Sequence, residues 1–211
     1  MTQDNYLLNI FEKLCRSNIY LFLISRFIIG KFFSKAIYDS DFKIVKFLEN
    51  RNFFKNKSLI IDIGANDGMS YSILRKFSKN TRIVSFEPNN HNFNKLKRIK
   101  KSDKFFQCKN LALSDKNKKK IFYTPYFKKY AITQISGISK KGVKDRLKKS
   151  LFIKNLFKKI LIKKEYLMTV KLDDYNYNPV FIKIDIEGHE LECIKGSLKT
   201  IKRYKPILMI E

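Results

Sequence analysis

Residues 58–68 read SLIIDIGANDG. The run begins with a short, mostly apolar segment that stops at a glycine, which is typical of a strand buried in a parallel sheet. From residue 69 to residue 77 the apolar residues recur at helical spacing. A strand, a glycine-containing loop and a helix are therefore expected in succession. Such a loop lets the backbone approach a ligand closely, and the start of the helix offers free N–H groups.

The rest of the chain repeats this alternation of strand and helix. Strands are expected in the same sheet at residues 82–87, 105–108, 181–186 and 206–211. Helices are expected at residues 89–100 and 189–204, and a small extra strand at residues 120–123. This order predicts an α/β fold with a doubly wound, mostly parallel sheet and right-handed connections.

Composition limits the class of protein. The chain has 211 residues, of which 44% are hydrophobic, enough for the core of one domain. Its three cysteines, Cys15, Cys108 and Cys193, are too few and too far apart for a disulfide scaffold or a paired zinc site, and they favour a reducing, cytoplasmic compartment. Lys and Arg number 45 against 19 Asp and Glu, a formal charge of +26. Such a charge attracts RNA, anionic lipid head groups or charged glycans.

The first 57 residues are expected to form a separate helical segment. The chain start lacks the basic region of a secretory signal. Residues 19–29 are the most apolar stretch, but they are too short to span a bilayer and contain Arg26. Residues 6–33 therefore predict one or two amphipathic helices. These helices either pack on the domain core or lie in the membrane interface, at the inner face of the membrane.

Residues 58–211 are expected to form the main domain, which residues 125–168 interrupt as a basic insert. Residues 140–164 contain many lysines, and their apolar residues roughly keep helical spacing. They predict a basic amphipathic helix. Two alternatives stay open, namely a solvated lid over the site and a surface for anionic lipid or a polyanionic acceptor.

The glycine loop indicates the kind of cofactor. Gly64 and Gly68 stand at GxxxG spacing, whereas a dinucleotide site has GxGxxG. Asp62 stands two residues before the first glycine, and its negative charge would repel a pyrophosphate. It suits a cofactor with a cationic amine, such as the methionine part of S-adenosylmethionine.

Two further loops are expected beside that cofactor. Glu87 ends the second strand, where its carboxylate can accept hydrogen bonds from both ribose hydroxyls, and Pro88 fixes the turn that aims it. Residues 110–115 follow the third strand and are expected to border the slot for adenine.

The fourth strand ends in an acidic cluster at residues 183–190, which reads KIDIEGHE. Asp185 and Glu187 alternate and can face the same side of a strand. His189 and Asp185 are candidate general bases for an acceptor hydroxyl, although His189 is alternatively a structural residue at a helix start. The two carboxylates could also hold Mg²⁺, but no third ligand is evident, and a metal site is not favoured.

Together these motifs resemble FkbM-type methyltransferases, a branch of the class I S-adenosylmethionine-dependent enzymes. The resemblance implies O-methylation of a sugar, a glycolipid or a natural product. It implies that Asp185 and Glu187 lie at the centre of methyl transfer. It also implies cofactor contacts from Asp62, Gly64, Asn66, Gly68, Glu87 and Ala112, to which the residue analysis adds Pro88 and Asp185. The matching pieces are IDIGANDG (61–68), VSFEPN (84–89), NLALSD (110–115), TVKLDDY (169–175), IKIDIEGHELECIKG (182–196) and PILMIE (206–211).

One departure from this family bears on partners. The class I sheet normally continues past a fifth strand into a hairpin, whereas this chain stops at Glu211. A sheet shortened in this way has an exposed edge, which a second copy in a homodimer could cover.

Two rival functions stay open. One is a non-catalytic module on this fold that binds membrane or an anionic glycan. The other is an RNA methyltransferase, which the charge suggests. The sequence contains neither the [DNS]PP[YF] motif nor a Pro-Cys nucleophile motif, so nucleic acid is not favoured as a partner.

Overall fold

The computed structural model of the chain describes residues 43–51, 53–54, 59–127, 130–149 and 160–211. We number its helices and strands in chain order. They are α1 (Lys43–Asn50), β1 (Leu59–Ile63), α2 (Met69–Phe77), β2 (Arg82–Phe86), α3 (Asn90–Ser102), β3 (Phe106–Lys109), β4 (Ala112–Leu113), β5 (Lys118–Phe127), β6 (Tyr130–Ala131), α4 (Lys140–Lys149), β7 (Ile160–Val170), β8 (Pro179–Ile184), α5 (Glu190–Lys195), α6 (Leu198–Tyr204) and β9 (Ile207–Ile210).

The main sheet has five parallel strands in the order β3-β2-β1-β8-β9. This arrangement confirms the predicted α/β fold with a mostly parallel sheet. The strand β1 lies at the centre, and all five of its residues are buried. The order reverses between β1 and β8, and ligands of open α/β sheets bind beside such a reversal, at the carboxyl ends of the strands.

Successive residues of β1 point to opposite faces of the sheet, and each face has its own core. Ile60 packs with Leu74 of α2 and Leu96 of α3. Ile61 packs in the second core with Cys193 of α5. Val45 of α1 also belongs to the first core, so this helix packs on the main sheet although it falls within the predicted N-terminal segment. The helices predicted over residues 6–33 lie outside the described residues.

A second, smaller sheet has the strand order β4-β7-β5-β6. Its long strands β5 and β7 pair antiparallel over ten residues, from Lys118 opposite Thr169 to Phe127 opposite Ile160. The expected small strand at residues 120–123 is therefore part of a much longer one.

The prediction of a helix over residues 140–164 is correct for the residues of α4 and wrong at its end, because residues 160–164 begin the strand β7. Residues 150–159 lie outside the described residues. The apolar residues Ile160 and Leu161 fit helical spacing only because they follow other apolar residues at intervals of three or four. Pairing with β5, more than thirty residues earlier in the chain, gives them an extended backbone, and local spacing carries no information about that partner.

The helix predicted over residues 189–204 is divided into α5 and α6 at Gly196. A Cβ atom at Gly196 would lie 1.9 Å from the carbonyl oxygen of Ser114. The close approach of the loop after β4 requires glycine at this position. Among the described residues, no helix is both long and apolar enough to cross a bilayer.

The loops after β1 and β8 touch at Gly64. Its φ angle is +79°, and a Cβ atom built there would lie 1.8 Å from the carbonyl oxygen of Asp185. Backbone atoms cannot move aside as a flexible side chain can. Glycine at this position is therefore required by the contact between the two loops.

We expect Gly64→Ala to lower the free energy of unfolding by more than about 3 kcal/mol, because it combines a left-handed backbone with a backbone clash. Urea denaturation of the purified protein measures this change. The matched control is Gly188→Ala, where φ is +91° and the space around the new Cβ is open. The control should cost only about 1–2 kcal/mol, the penalty of the left-handed backbone. Equal losses in both variants would contradict the role assigned to Gly64.

Candidate active site

A cleft of about 190 Å³ lies at the carboxyl ends of β1, β2 and β8. The structure brings six of the predicted site residues to its wall. These are Gly64, Asn66, Glu87, Pro88, Asp185 and Glu187. A smaller apolar cavity of about 40 Å³ adjoins it and shares Gly64 and Pro88 with it. Ala112 and His189 line this smaller cavity instead.

Glu87 is held at the end of β2 by two backbone N–H groups. Asn66 donates to its Oε2 and Asn89 to its Oε1, each at 2.8 Å. The side chain is only 6% exposed. Burial raises the pKa of the Glu87 carboxyl to about 7, although the two N–H groups act in the opposite direction. Each carboxylate oxygen keeps a further lone pair for a ligand hydroxyl.

The turn after Glu87 is fixed by its neighbours. The Nδ2 atom of Asn110 donates to the carbonyl oxygens of Glu87 and Pro88, both at 3.0 Å. Asn89 caps α3 by accepting from the N–H groups of His91 and Asn92. These contacts hold the carboxylate of Glu87 in one orientation before any ligand arrives, which reduces the entropy lost on binding.

Asp62 lies beneath the glycine loop and is fully buried. Its carboxylate accepts hydrogen bonds from the hydroxyls of Ser70 and Ser85, and Lys183 Nζ lies 3.8 Å from its Oδ1. The structure thus surrounds Asp62 with partners from α2, β2 and β8. Its direct contact with a cofactor amine stays a prediction.

Gly68 also lies away from the cleft wall. A Cβ atom at this position would lie 2.7 Å from Ile99 Cδ1 and 3.1 Å from Leu96 Cδ2, both on α3. Its φ angle is +93°, and it caps the start of α2. Glycine here allows α2 and α3 to pack closely, and it turns the chain from the loop into α2.

Asp185 and Glu187 both reach the cleft, as predicted, but not as alternating residues of a strand. The strand β8 ends at Ile184, and Glu187 has a left-handed backbone with φ +57°. Lys183 Nζ lies 3.1 Å from Asp185 Oδ2, and Arg146 Nε lies 3.7 Å from Glu187 Oε2. Burial raises the pKa of Glu187, and Arg146 offsets part of the rise.

The same contacts argue against a divalent metal ion. Each of the two carboxylates already has a cationic partner, and a Mg²⁺ ion beside Lys183 and Arg146 would meet like charges. In the described part of the chain, no group of three or more His, Cys, Asp or Glu residues is arranged to bind a metal ion.

His189 lines the smaller cavity instead of the cleft, in a polar group with Ser114 and Lys120. Its Nε2 atom lies 3.0 Å from Ser114 Oγ and 3.2 Å from Lys120 Nζ. An ammonium group can only donate, so Nε2 accepts and the ring proton is on Nδ1, 3.4 Å from Glu192 Oε2. Burial lowers the pKa of His189, and Lys120 lowers it further. The role of His189 as a base stays a prediction.

The smaller cavity has the character expected of a slot for a flat, apolar ring. Its wall contains Leu111, Ala112, Phe122 and Ile138. The sequence predicted that residues 110–115 border such a slot. Phe122, by contrast, comes from the second sheet, and no motif marked it.

Other residues at the cleft were not identified from the sequence. Asn92 and Thr133 both donate to Asn66 Oδ1 and line the cleft. Arg146 of α4 donates to the carbonyl oxygens of Glu187, Ile135 and Ser136. The only sequence signal for Asn92 was weak, namely an Asn near the start of α3. Thr133 and Arg146 carried none, because the pairing of the second sheet brings them to the site.

Comparison with known families gave one finding. The family model described as "Methyltransferase FkbM domain" matches residues 62–211. That range contains the cleft and both sheets except for the first three residues of β1. In the searches of curated proteins and of solved structures, nothing matched.

The raised pKa of Glu87 predicts a specific effect of pH on stability. A folded-state pKa of about 7, against an ordinary value of 4.5, means that the folded protein binds the proton more tightly. The stabilisation is complete below about pH 4.5 and is lost as pH rises through 7. Between pH 5 and pH 8, we expect the free energy of unfolding of the wild type to fall by about 2.5 kcal/mol relative to that of Glu87→Gln, whose side chain cannot titrate. Urea unfolding of both proteins at the two pH values measures it, and a difference independent of pH would contradict it.

Proposed function

Because the chain belongs to the FkbM methyltransferase family, we propose that it transfers a methyl group from S-adenosylmethionine to a hydroxyl oxygen. The acceptor class that we propose is a sugar, a glycolipid or a natural product. The observation that carries the proposal is the buried carboxylate of Glu87, oriented by two backbone N–H groups at the wall of the cleft.

The residues at the cleft fit the chemical groups of this cofactor. Glu87 offers two acceptor oxygens side by side, which suits the neighbouring hydroxyls of a ribose. The apolar cavity beside it, with Ala112 and Leu111 in its wall, suits an adenine ring. Asp185 also lines the cleft; Lys183 engages its Oδ2 at 3.1 Å, which leaves Oδ1 to accept hydrogen bonds from the amine of the cofactor.

S-Adenosylmethionine, when bound, supplies a methyl group on a positively charged sulfur. The residues of the chain must then hold the acceptor oxygen in line with that methyl group and receive the hydroxyl proton. Holding two reactants at attack distance accounts for a large part of such rate gains, on the order of 7–11 kcal/mol in well-oriented cases.

We propose Glu187 as the group that receives the proton. It lines the cleft, and burial raises its pKa, which makes the carboxylate a better base towards a hydroxyl. Asp185 is more closely engaged, because Lys183 Nζ lies 3.1 Å from it. The lone pair of His189 Nε2 already accepts from Lys120, and His189 lines the smaller cavity instead of the cleft. This placement favours Glu187 over His189.

The second sheet supports the proposed covering of the acceptor by the insert at residues 125–168. Thr133 and Ser136 line the cleft opposite the loops of the main sheet, and Phe122 belongs to the same sheet. Arg146 ties α4 to the backbone of Glu187. The insert therefore supplies part of the cleft wall beside the proposed base.

We expect calorimetric titration with S-adenosylhomocysteine to show binding by the wild type and weaker binding by Glu87→Ala. Losing hydrogen bonds to a charged group should cost about 1.5–3 kcal/mol, or roughly 10- to 150-fold in Kd. Glu49→Ala on α1, outside the cleft, is the matched control and should bind as the wild type does. A folded wild type that does not bind S-adenosylhomocysteine would overturn the proposed function.

The affinity should also depend on pH through Glu87. Its carboxyl must be ionised to accept both ribose hydroxyls, and its pKa in the free protein is about 7. The Kd for S-adenosylhomocysteine is therefore expected to rise about tenfold between pH 8 and pH 6. In Glu87→Gln this dependence should disappear. The assignment fails if the variant and the wild type show the same pH profile.

A further inference from the structure

The small sheet has two different faces. Residues that lie opposite each other in β5 and β7 point to the same side of the sheet. Residues of even number in β5, such as Phe122, and of odd number in β7, such as Leu167, form the inner face, which points towards the cleft and the core of the domain. We call the opposite face the outer face. It carries residues of odd number in β5 and of even number in β7, from Lys119 opposite Met168 to Phe127 opposite Ile160.

Only half of the outer face is covered. At one end Phe127, Ile160 and Ile162 pack against Val143 and Leu147 of α4. The other end carries large side chains that remain exposed among the described residues. Tyr166 is 67% exposed and Met168 is 49% exposed, and Ile121 lies opposite Tyr166. We call Lys119, Ile121, Lys164, Tyr166 and Met168 the outer patch.

Cations surround the apolar part of the outer patch. Lys119 and Lys164 are exposed, and Lys119 Nζ lies 4.5 Å from the centroid of the Tyr166 ring. The helix α4 lies on the same side of the sheet and adds five exposed lysines against one aspartate, Asp145. The exposed lysines are Lys140, Lys141, Lys144, Lys148 and Lys149. Neither Asp nor Glu occurs among the outer-face residues of β5 and β7.

From this arrangement we propose that the outer patch and α4 together dock on an anionic lipid bilayer. Tyrosine and methionine suit the boundary between head groups and acyl chains, and lysines can reach the anionic head groups around them. The positive charge argues against a second copy of the chain at this face, because two copies would bring lysines against lysines. The large exposed side chains are few, so charge supplies much of the attraction and added salt weakens it.

Docking in this way leaves the cofactor site free. The cleft is lined from the inner face by Phe122, whose neighbour Ile121 points outwards. Binding to lipid and binding to S-adenosylhomocysteine are therefore separate properties, and either can fail without the other.

The test is flotation of the full chain with vesicles of phosphatidylcholine, with and without about one third phosphatidylglycerol. The wild type should float only with the anionic vesicles and should be released by salt. The double variant Lys119→Gln/Lys164→Gln should bind about 30-fold more weakly, at about 1 kcal/mol for each lysine. Tyr166→Ser/Met168→Ser should also weaken binding at unchanged charge.

Matched controls separate this face from the charge of the whole chain. Lys195→Gln/Lys202→Gln removes the same charge from exposed positions on α5 and α6, and Leu191→Ser removes an apolar side chain that is 60% exposed. These variants should float as the wild type does. All variants should keep the wild-type melting temperature and titrate normally with S-adenosylhomocysteine.

Two results would overturn the proposal. The first is a wild type that does not float with anionic vesicles; binding of single-stranded RNA through Lys119 and Lys164 would then identify nucleic acid as the partner instead. The second is equal loss of binding in the outer-patch variants and in the controls, which would reflect net charge alone. A wild type that floats without binding S-adenosylhomocysteine would support docking and count against the proposed function.

Discussion

The buried carboxylate of Asp62 joins the elements on which the cleft depends. Standing on the central strand, it accepts from Ser70 of α2 and Ser85 of β2 and lies beside Lys183 of β8. A charge so far from solvent is tolerated only with partners of this kind. Because each partner belongs to an element that leads into or follows a cleft loop, the interaction fixes those loops relative to one another. The close approach of Gly64 to the backbone of Asp185 then joins the loops that follow β1 and β8.

Buried carboxyl groups with hydrogen-bond donors or a cation nearby also occur at the cleft, where burial raises their pKa. Glu87 has two backbone N–H groups but, within the part of the chain that the structure describes, no ion pair, and its pKa is raised. Glu187 has Arg146 nearby yet stays half-buried, and its pKa is raised as well. Burial destabilises the ionised form of these carboxylates, so a ligand that supplies hydroxyl donors or positive charge stabilises them strongly. The folding stability that the protein loses by burying them is thus linked to its affinity for the ligand.

The sequence predicted the main sheet well, because buried parallel strands have continuous apolar runs that need no knowledge of distant residues. Glu87 and Asp185 could be predicted for the same reason, since each follows such a run. The second sheet could not, because β7 depends on a pairing with β5 that no local spacing reveals. Phe122 and Thr133 line the cleft from this sheet and from the turn that follows it, and Arg146 of α4 donates to the carbonyl oxygen of Glu187. The contact of Asp62 with a ligand amine stays a prediction, and the sequence did not indicate its hydrogen bonds from Ser70 and Ser85.

The alternation of the long strands has a consequence for how such a protein can change. Within β5, residues of even number such as Phe122 face the cleft, and residues of odd number such as Ile121 face outwards. Point substitutions can therefore alter the wall of the cleft without altering the outer surface, or the reverse. A one-residue insertion in β5 would exchange the two faces beyond it. Along this strand, substitutions should therefore be far better tolerated than changes in length.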